Sequence, residues 1–260
     1  MAIVAYTVAA GLVWHNQERL LFVRAAAPQP AHAPAGWRLE PVAIPVHGGV
    51  TLRGVLVLPP VAHPAVVIYF GANGEQVTEE AWHADRTWGP RALLLVNYRG
   101  YGASDGEPGE RAMVSDAAEI RAWAMHRPDL DSSRIAFHGR SLGTGVAVAL
   151  AAQTPTRCLI LTSPYASILD LAHEAYPWLP VGLLLRHPFD SARRAPRVKS
   201  RTLVIIGEAD DVIAPRHSRR LAGRLGGPVE IASFPHAGHN DLSDDPRYDA
   251  AVRGFLDRCL

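Results

Sequence analysis

Two textures of hydrophobic and polar positions divide the chain beyond residue 40. From Pro41 to Pro60, "PVAIPVHGGVTLRGVLVLPP" alternates apolar and polar residues around Gly48-Gly49, the pattern of a hairpin with one buried face. Beyond it the runs "AVVIYFG", "ALLLVN", "RIAFHG", "CLILTS", "TLVIIG" and "VEIASF" are apolar at consecutive positions. Strands read this way when helices cover both faces of a parallel sheet. Between the runs lie the segments "EEAWHADRTW", "RAMVSDAAEIRAWAMH", "SLGTGVAVALAAQ", "PRHSRRLAGRL" and "PRYDAAVRGFLDRCL". In the second of these, Met113, Ala117, Ile120 and Ala124 recur three and four residues apart, the spacing of a helix with one apolar face. The alternation predicts an α/β fold: a mostly parallel, doubly wound sheet with an N-terminal antiparallel hairpin. Residues 165–199 are too long for an ordinary connection and carry their own aromatic and leucine residues, which predicts a small helical cap inserted between two strands.

The N-terminus has a different character. Ala2 to Trp14 is apolar, "HNQER" interrupts it, and "LLFV" resumes. The stretch lacks a basic leader region and falls short of the roughly 20 residues that span a bilayer. Residues 1–24 therefore read either as a docking helix or as a membrane anchor. "AAAPQPAHAPAG", residues 25–36, reads as an Ala/Pro-rich linker, placing the folded domain at 37–260.

Composition narrows the function. With 26 Lys+Arg against 25 Asp+Glu the formal charge is +1, which provides no field to steer nucleic acid, and none is expected as a partner. The two cysteines, Cys158 and Cys259, have no metal-ligand spacing and predict no disulfide framework; Cys158, inside an apolar run, reads as a free thiol acting as a small hydrophobe. No H-E-x-x-H, phosphate-binding or dinucleotide-binding glycine pattern occurs, so no metal or cofactor is expected.

The chemistry concentrates at "GRSLG", Gly139–Gly143, which fits G-x-S-x-G between a strand-like and a helix-like run. In that context the glycines allow a tight strand-to-helix turn that pushes the Ser141 hydroxyl out at the sheet edge. A serine hydroxyl is a weak nucleophile near neutral pH, so it needs a base and the base needs an orienting acid. "TLVIIGEADDVIAP" offers Asp210 and Asp211 just beyond one strand, and "VEIASFPHAGHND" offers His236 and His239 beyond the next. His239 is preferred, since it lies deeper in its loop after a glycine that frees the backbone to turn toward the serine. Acyl transfer also needs oxyanion donors. The Leu142 N–H supplies one, and the loop "GANGEQ", Gly71–Gln76, supplies the other from Asn73, with Ala72 as the alternative.

"NYRGYGASDGEPGE", "HGRSLGTG", "TSPYASILDLA", "YPWLP", "IIGEADDVIAP" and "HAGHND" occur in this order from about Val42 to the C-terminus. Together they resemble the α/β-hydrolase-domain serine hydrolases, in particular the membrane-anchored group that includes protein depalmitoylases and bacterial esterase-like members. The resemblance implies the α/β-hydrolase fold with Ser141 as nucleophile, Asp210 rather than Asp211 as acid, and His239 as base. Where that group has H-G-N in the oxyanion loop, this chain has "FGANG". "QERLLFV", Gln17–Val23, matches the group's segment after a membrane-spanning stretch and implies an anchor, with membrane association; residues and resemblance leave oligomeric state open. The expected activity is cleavage of carboxylic esters or thioesters, on a small-molecule or lipid-like acyl substrate. A serine peptidase and a catalytically idle binding protein on the same fold are the competing readings.

Overall fold

The alternating hairpin and the six apolar runs lie side by side in one sheet. The structure is a computed structural model; it describes residues 1–24 and 30–260, with residues 2–5 described by backbone alone. A helix α1 (Ala2–Leu21) precedes strands β1 (Arg38–Val46), β2 (Val50–Leu58), β3 (Val66–Phe70) and β4 (Ala92–Val96). Then α2 (Glu110–Met125), β5 (Ile135–Arg140), α3 (Leu142–Gln153) and β6 (Cys158–Thr162) alternate. Three short helices, α4 (Ile168–Ala175), α5 (Val181–Leu184) and α6 (Ser191–Arg194), form the cap. The chain closes with β7 (Arg201–Gly207), α7 (Pro215–Ala222), β8 (Val229–Phe234) and α8 (Arg247–Cys259).

The strand order is β1-β2-β4-β3-β5-β6-β7-β8. The pairs β1–β2 and β2–β4 are antiparallel and all the others parallel, which is the α/β-hydrolase fold. Gly48 and Gly49 turn the hairpin with φ of +84° and +71°, values that glycine adopts without a Cβ clash. Successive residues of a strand face opposite sides of the sheet. Ile68 and Phe70 therefore enter one buried cluster with Leu94, Phe137 and Val146, while Val67 and Tyr69 enter another with Leu93, Ile160 and Phe255.

Three expectations change. "VEIASF" does not read out as a fully buried strand: β8 is the sheet edge, so every second residue faces outward and Ile231 is exposed. "EEAWHADRTW" is not a regular helix. Val77–His83 winds as a 3-10 turn and Ala84–Trp88 as a wider π turn, an irregular path that still buries Val77, Ala81, Ala84 and Trp88. Cys158 is not a free thiol, because β6 begins beside the last turn of α8 and the two cysteines are joined as a disulfide, Cα atoms 6.0 Å apart, within the range such a bond spans. No helix among the described residues is long and apolar enough to cross a membrane. The polar last turns of α1 hold the cap. Gln17 Nε2 donates to Leu184 O at 3.0 Å and Gln17 Oε1 accepts from Arg186 N–H at 2.8 Å.

Of the linker expected at 25–36, residues 25–29 lie outside the described residues. Ala31 and Ala33 pack against the second cluster.

Candidate active site

The serine sits where the local sequence tolerates no larger neighbours. A Cβ on Gly139 would lie 2.6 Å from Gly143 O, and one on Gly143 would lie 2.0 Å from Phe70 O. Without those side chains β5 can turn directly into α3. Ser141 occupies the bend with φ +49° and ψ −117°, a conformation costly for a residue with a side chain and held here by its surroundings. Ser141 N–H donates to Thr162 O at 2.9 Å, and Thr144 Oγ1 donates to Ser141 O at 2.6 Å.

Two loops at the same sheet edge reach this serine. His239, beyond β8, brings Nε2 to 2.9 Å from Ser141 Oγ. Its Nδ1 lies 2.8 Å from Asp210 Oδ2, beyond β7. The approach requires Gly207, where a Cβ would meet Ala237 O at 2.6 Å. Asp210 is buried, whereas Asp211 and His236 are exposed and take no part. Burial pushes the Asp210 carboxyl up, but its hydrogen bonds with His239 and the Ile213 N–H outweigh that and hold it below its ordinary value. It is therefore a carboxylate near pH 7, able to hold the Nδ1–H tautomer that leaves Nε2 free to accept a proton.

The Leu142 N–H opens α3, and the first N–H groups of a helix have no partner within it. The loop after β3 is fastened from several sides. Ala72 N–H donates to Glu75 Oε2 at 2.6 Å, so that donor is engaged. The Asn73 side-chain oxygen accepts from Tyr101 OH at 2.8 Å and from Val23 N–H at 2.9 Å, and its own N–H has no acceptor among the described residues. Tyr98 OH donates to Gly71 O at 3.0 Å.

Glu75, Tyr98 and Tyr101 were missed as contributors from sequence. The signal was the "NYRGYGASDG" turn, quoted only as a marker of resemblance. Gly100 and Gly102 have φ of +74° and +53°, and Arg99 Nε and Nη2 grip Asp116 at 2.7 and 2.5 Å. The turn thus presents two tyrosines to the neighbouring loop.

Behind Arg140 lies a polar cavity of about 240 Å³ lined by Tyr69, Glu80, Arg86, Arg140, Thr162 and Tyr248. Burial pushes the Glu80 carboxyl up to about 7, the Glu75 carboxylate adds to that, and Arg140 opposes both. His138 is buried beside it, bonded to Trp88 Nε1 and Thr162 Oγ1 at 3.1 and 3.0 Å. Burial, with Arg140 second, holds its imidazole down at about 3, so it is a neutral structural histidine. Among the described residues no cluster of His, Cys, Asp or Glu could hold a metal ion.

A strained serine between strand and helix, with aspartate and histidine delivered by later loops of a mostly parallel sheet, defines the α/β-hydrolase class. Residues 106–260 match the prolyl oligopeptidase family, and the chain belongs to it. An uncharacterized protein of Mycobacterium tuberculosis (strain ATCC 25618 / H37Rv) is 34% identical, the match covering 98% of this chain and 93% of that protein. Protein bem46 of Schizosaccharomyces pombe is 26% identical over 98% of this chain and 91% of its own length. Among solved structures, the acetyl xylan esterase of Paenibacillus sp. R4 superposes with a TM-score of 0.71 at 19% identity, covering 94% of this chain and 99% of the esterase. At that identity the likeness is one of fold.

Proposed function

We propose that the protein is a serine hydrolase that cleaves carboxylic esters or thioesters through an acyl-enzyme on Ser141. The observation that carries this reading is the continuous hydrogen-bonded chain Ser141 Oγ, His239, Asp210, at 2.9 and 2.8 Å. As Oγ attacks the substrate carbonyl, His239 Nε2 takes its proton, and the Asp210 carboxylate steadies the imidazolium through Nδ1–H. Negative charge gathers on the carbonyl oxygen, where the N–H groups of Leu142 and Asn73 would receive it. Collapse expels the alcohol or thiol, protonated by His239. Water, deprotonated by the same nitrogen, then releases the acid.

The family match favours a second reading, a peptidase. A peptidase that removes short peptides needs a charged group to hold the substrate's amino terminus. Among the described residues lining the groove beside the cap, none is charged, which supports the ester reading. The end of the molecule built from α1 and the cap exposes Leu12, Trp14, Trp178 and Leu183, an apolar surface suited to contact with a lipid–water interface. The Cys158–Cys259 disulfide favours an oxidising compartment over the cytoplasm.

The test is fluorophosphonate labelling of the full-length protein, with the adduct located by mass spectrometry and ester turnover measured in parallel. The expected result is an adduct on Ser141, absent in Ser141→Ala, with turnover reduced by at least about a thousandfold in that variant. A folded protein that takes no label and cleaves no ester would leave the idle binding protein as the reading.

A further inference from the structure

A strongly apolar concavity lies between α1 and the cap, and no catalytic step described above uses it. Its volume is about 260 Å³, just below the usual range for small-molecule sites. Among the described residues that line it, Val13 and Leu21 of α1 face Leu171, Ala172 and Ala175 of α4, and the one amide, Gln17, is engaged. Gln17 Nε2 donates to Trp14 O and Leu184 O, and Oε1 accepts from Arg186 N–H. Apart from the edges of Trp14 and Tyr176, a ligand there meets mainly aliphatic side chains.

The groove is joined to the reaction centre at one end. Leu21, Ile168 and Leu171, which line it, pack against the large buried cluster on that face of the sheet. Two residues after Leu21, the Val23 N–H donates to Asn73 Oδ1 at 2.9 Å. Asn73, one of the two residues assigned to the oxyanion, therefore adjoins the Leu21 end, and Val13 marks the far end. Eight helical residues separate them, a distance of about 12 Å at 1.5 Å per residue. An extended chain advances about 1.2 Å per bond, so the groove matches roughly ten bonds.

We propose that this groove binds the acyl chain of the substrate, with α1 as one wall, and that it selects chains of about eight to ten carbons. The proposal rests on the ester hydrolase reading above. It makes α1 part of the substrate site. Burying each added methylene should raise kcat/KM three- to fourfold, equivalent to about 0.8 kcal/mol, until the groove is full.

The experiment measures kcat/KM of the full-length protein on p-nitrophenyl esters from acetate to palmitate. The expected profile climbs to an optimum near eight to ten carbons and then levels or falls. Val13→Trp, filling the far end, should shorten the optimum by a few carbons, and Leu21→Trp should shorten it more; Ala172→Trp approaches the same space from the cap should the Leu21 variant not fold. His15→Trp, exposed on α1 and outside the groove lining, should keep the parent profile. A flat profile, or one falling from acetate onward, in a protein that still labels at Ser141 would overturn the groove assignment and leave the hydrolase reading intact. Absence of all ester turnover and labelling would overturn both. Val13→Trp with the parent profile but an altered sedimentation state would assign the groove to a second copy of the chain and overturn the proposal.

Discussion

The chemistry proposed for Ser141 would depend on residues that never touch its hydroxyl. Glu75 is the clearest case: its carboxylate accepts from Ala72 N–H at 2.6 Å and from Tyr69 OH at 2.8 Å. By engaging the Ala72 N–H it sets the orientation of the next peptide, whose Asn73 N–H has no acceptor among the described residues. Glu75→Ala should therefore lower kcat on a good ester by about tenfold to a hundredfold, less than the loss of a whole oxyanion donor, while KM changes little. Glu75→Gln, whose amide oxygen can still accept from Ala72, should retain most of kcat. Steady-state kinetics check this beside a melting curve, since a merely structural role would move the melting temperature and leave kcat per folded molecule unchanged. At this scale the sequence was partly legible. Ser141 announced itself because strand, glycines and helix are contiguous, and His239 followed from its loop. The choice between Asp210 and Asp211 was not open to residue reasoning, because adjacent aspartates differ only in which one the turn buries. The tyrosines of "NYRGYG" were unreadable because their partners lie 27 and 28 residues away.

Elements were legible where their hydrophobic period was simple. The inner parallel strands and α3 declare themselves as apolar runs, since both are covered on all sides. The segment Val77–Trp88 kept a helix-like stripe of buried positions, yet winds as 3-10 and π turns while placing Glu80 beside Arg140 and Glu75. That placement has a pH signature. The Glu80 carboxyl is raised to about 7 in the folded state, from an ordinary 4.5, by burial first and by Glu75 second. Between those values the folded protein holds a proton that the unfolded chain releases, so stability from this group falls as pH rises through the window. Glu80→Gln removes the penalty. Its stability relative to the parent, from urea denaturation, should grow from about pH 4.5 to about 7 and stay level above, by on the order of 1 kcal/mol per pH unit. The opposite dependence from neutral His138 is common to both proteins and cancels in the difference. No growth in that difference would mean that Glu80 ionises freely.

Across the whole molecule, two connections tie distant parts of the chain. One is the seat of α1 on the cap. The other is the Cys158–Cys259 disulfide, which joins the start of β6 to the end of α8 across a separation of 101 residues. Closing a long loop restricts the unfolded chain, and Cys259→Ser should cost about 2–4 kcal/mol. That corresponds to a melting temperature lower by roughly 5–10 °C for a domain of this size. Reductant should lower the parent's melting temperature by a similar amount and leave the variant's unchanged; equal effects on both would exclude a disulfide contribution.

By itself, the sequence determined the α/β layering, the hairpin at the sheet edge, the inserted cap and the strained turn at Ser141. Each rests on periodicity or sterics within a few neighbouring residues. Only the tertiary structure decided which aspartate His239 meets, that Glu75 holds the Ala72 N–H, that the two cysteines are bonded, and that α1 lies against the cap. These are contacts between segments tens to more than a hundred residues apart. Which partner a side chain finds at that range is settled by the packing of the whole sheet.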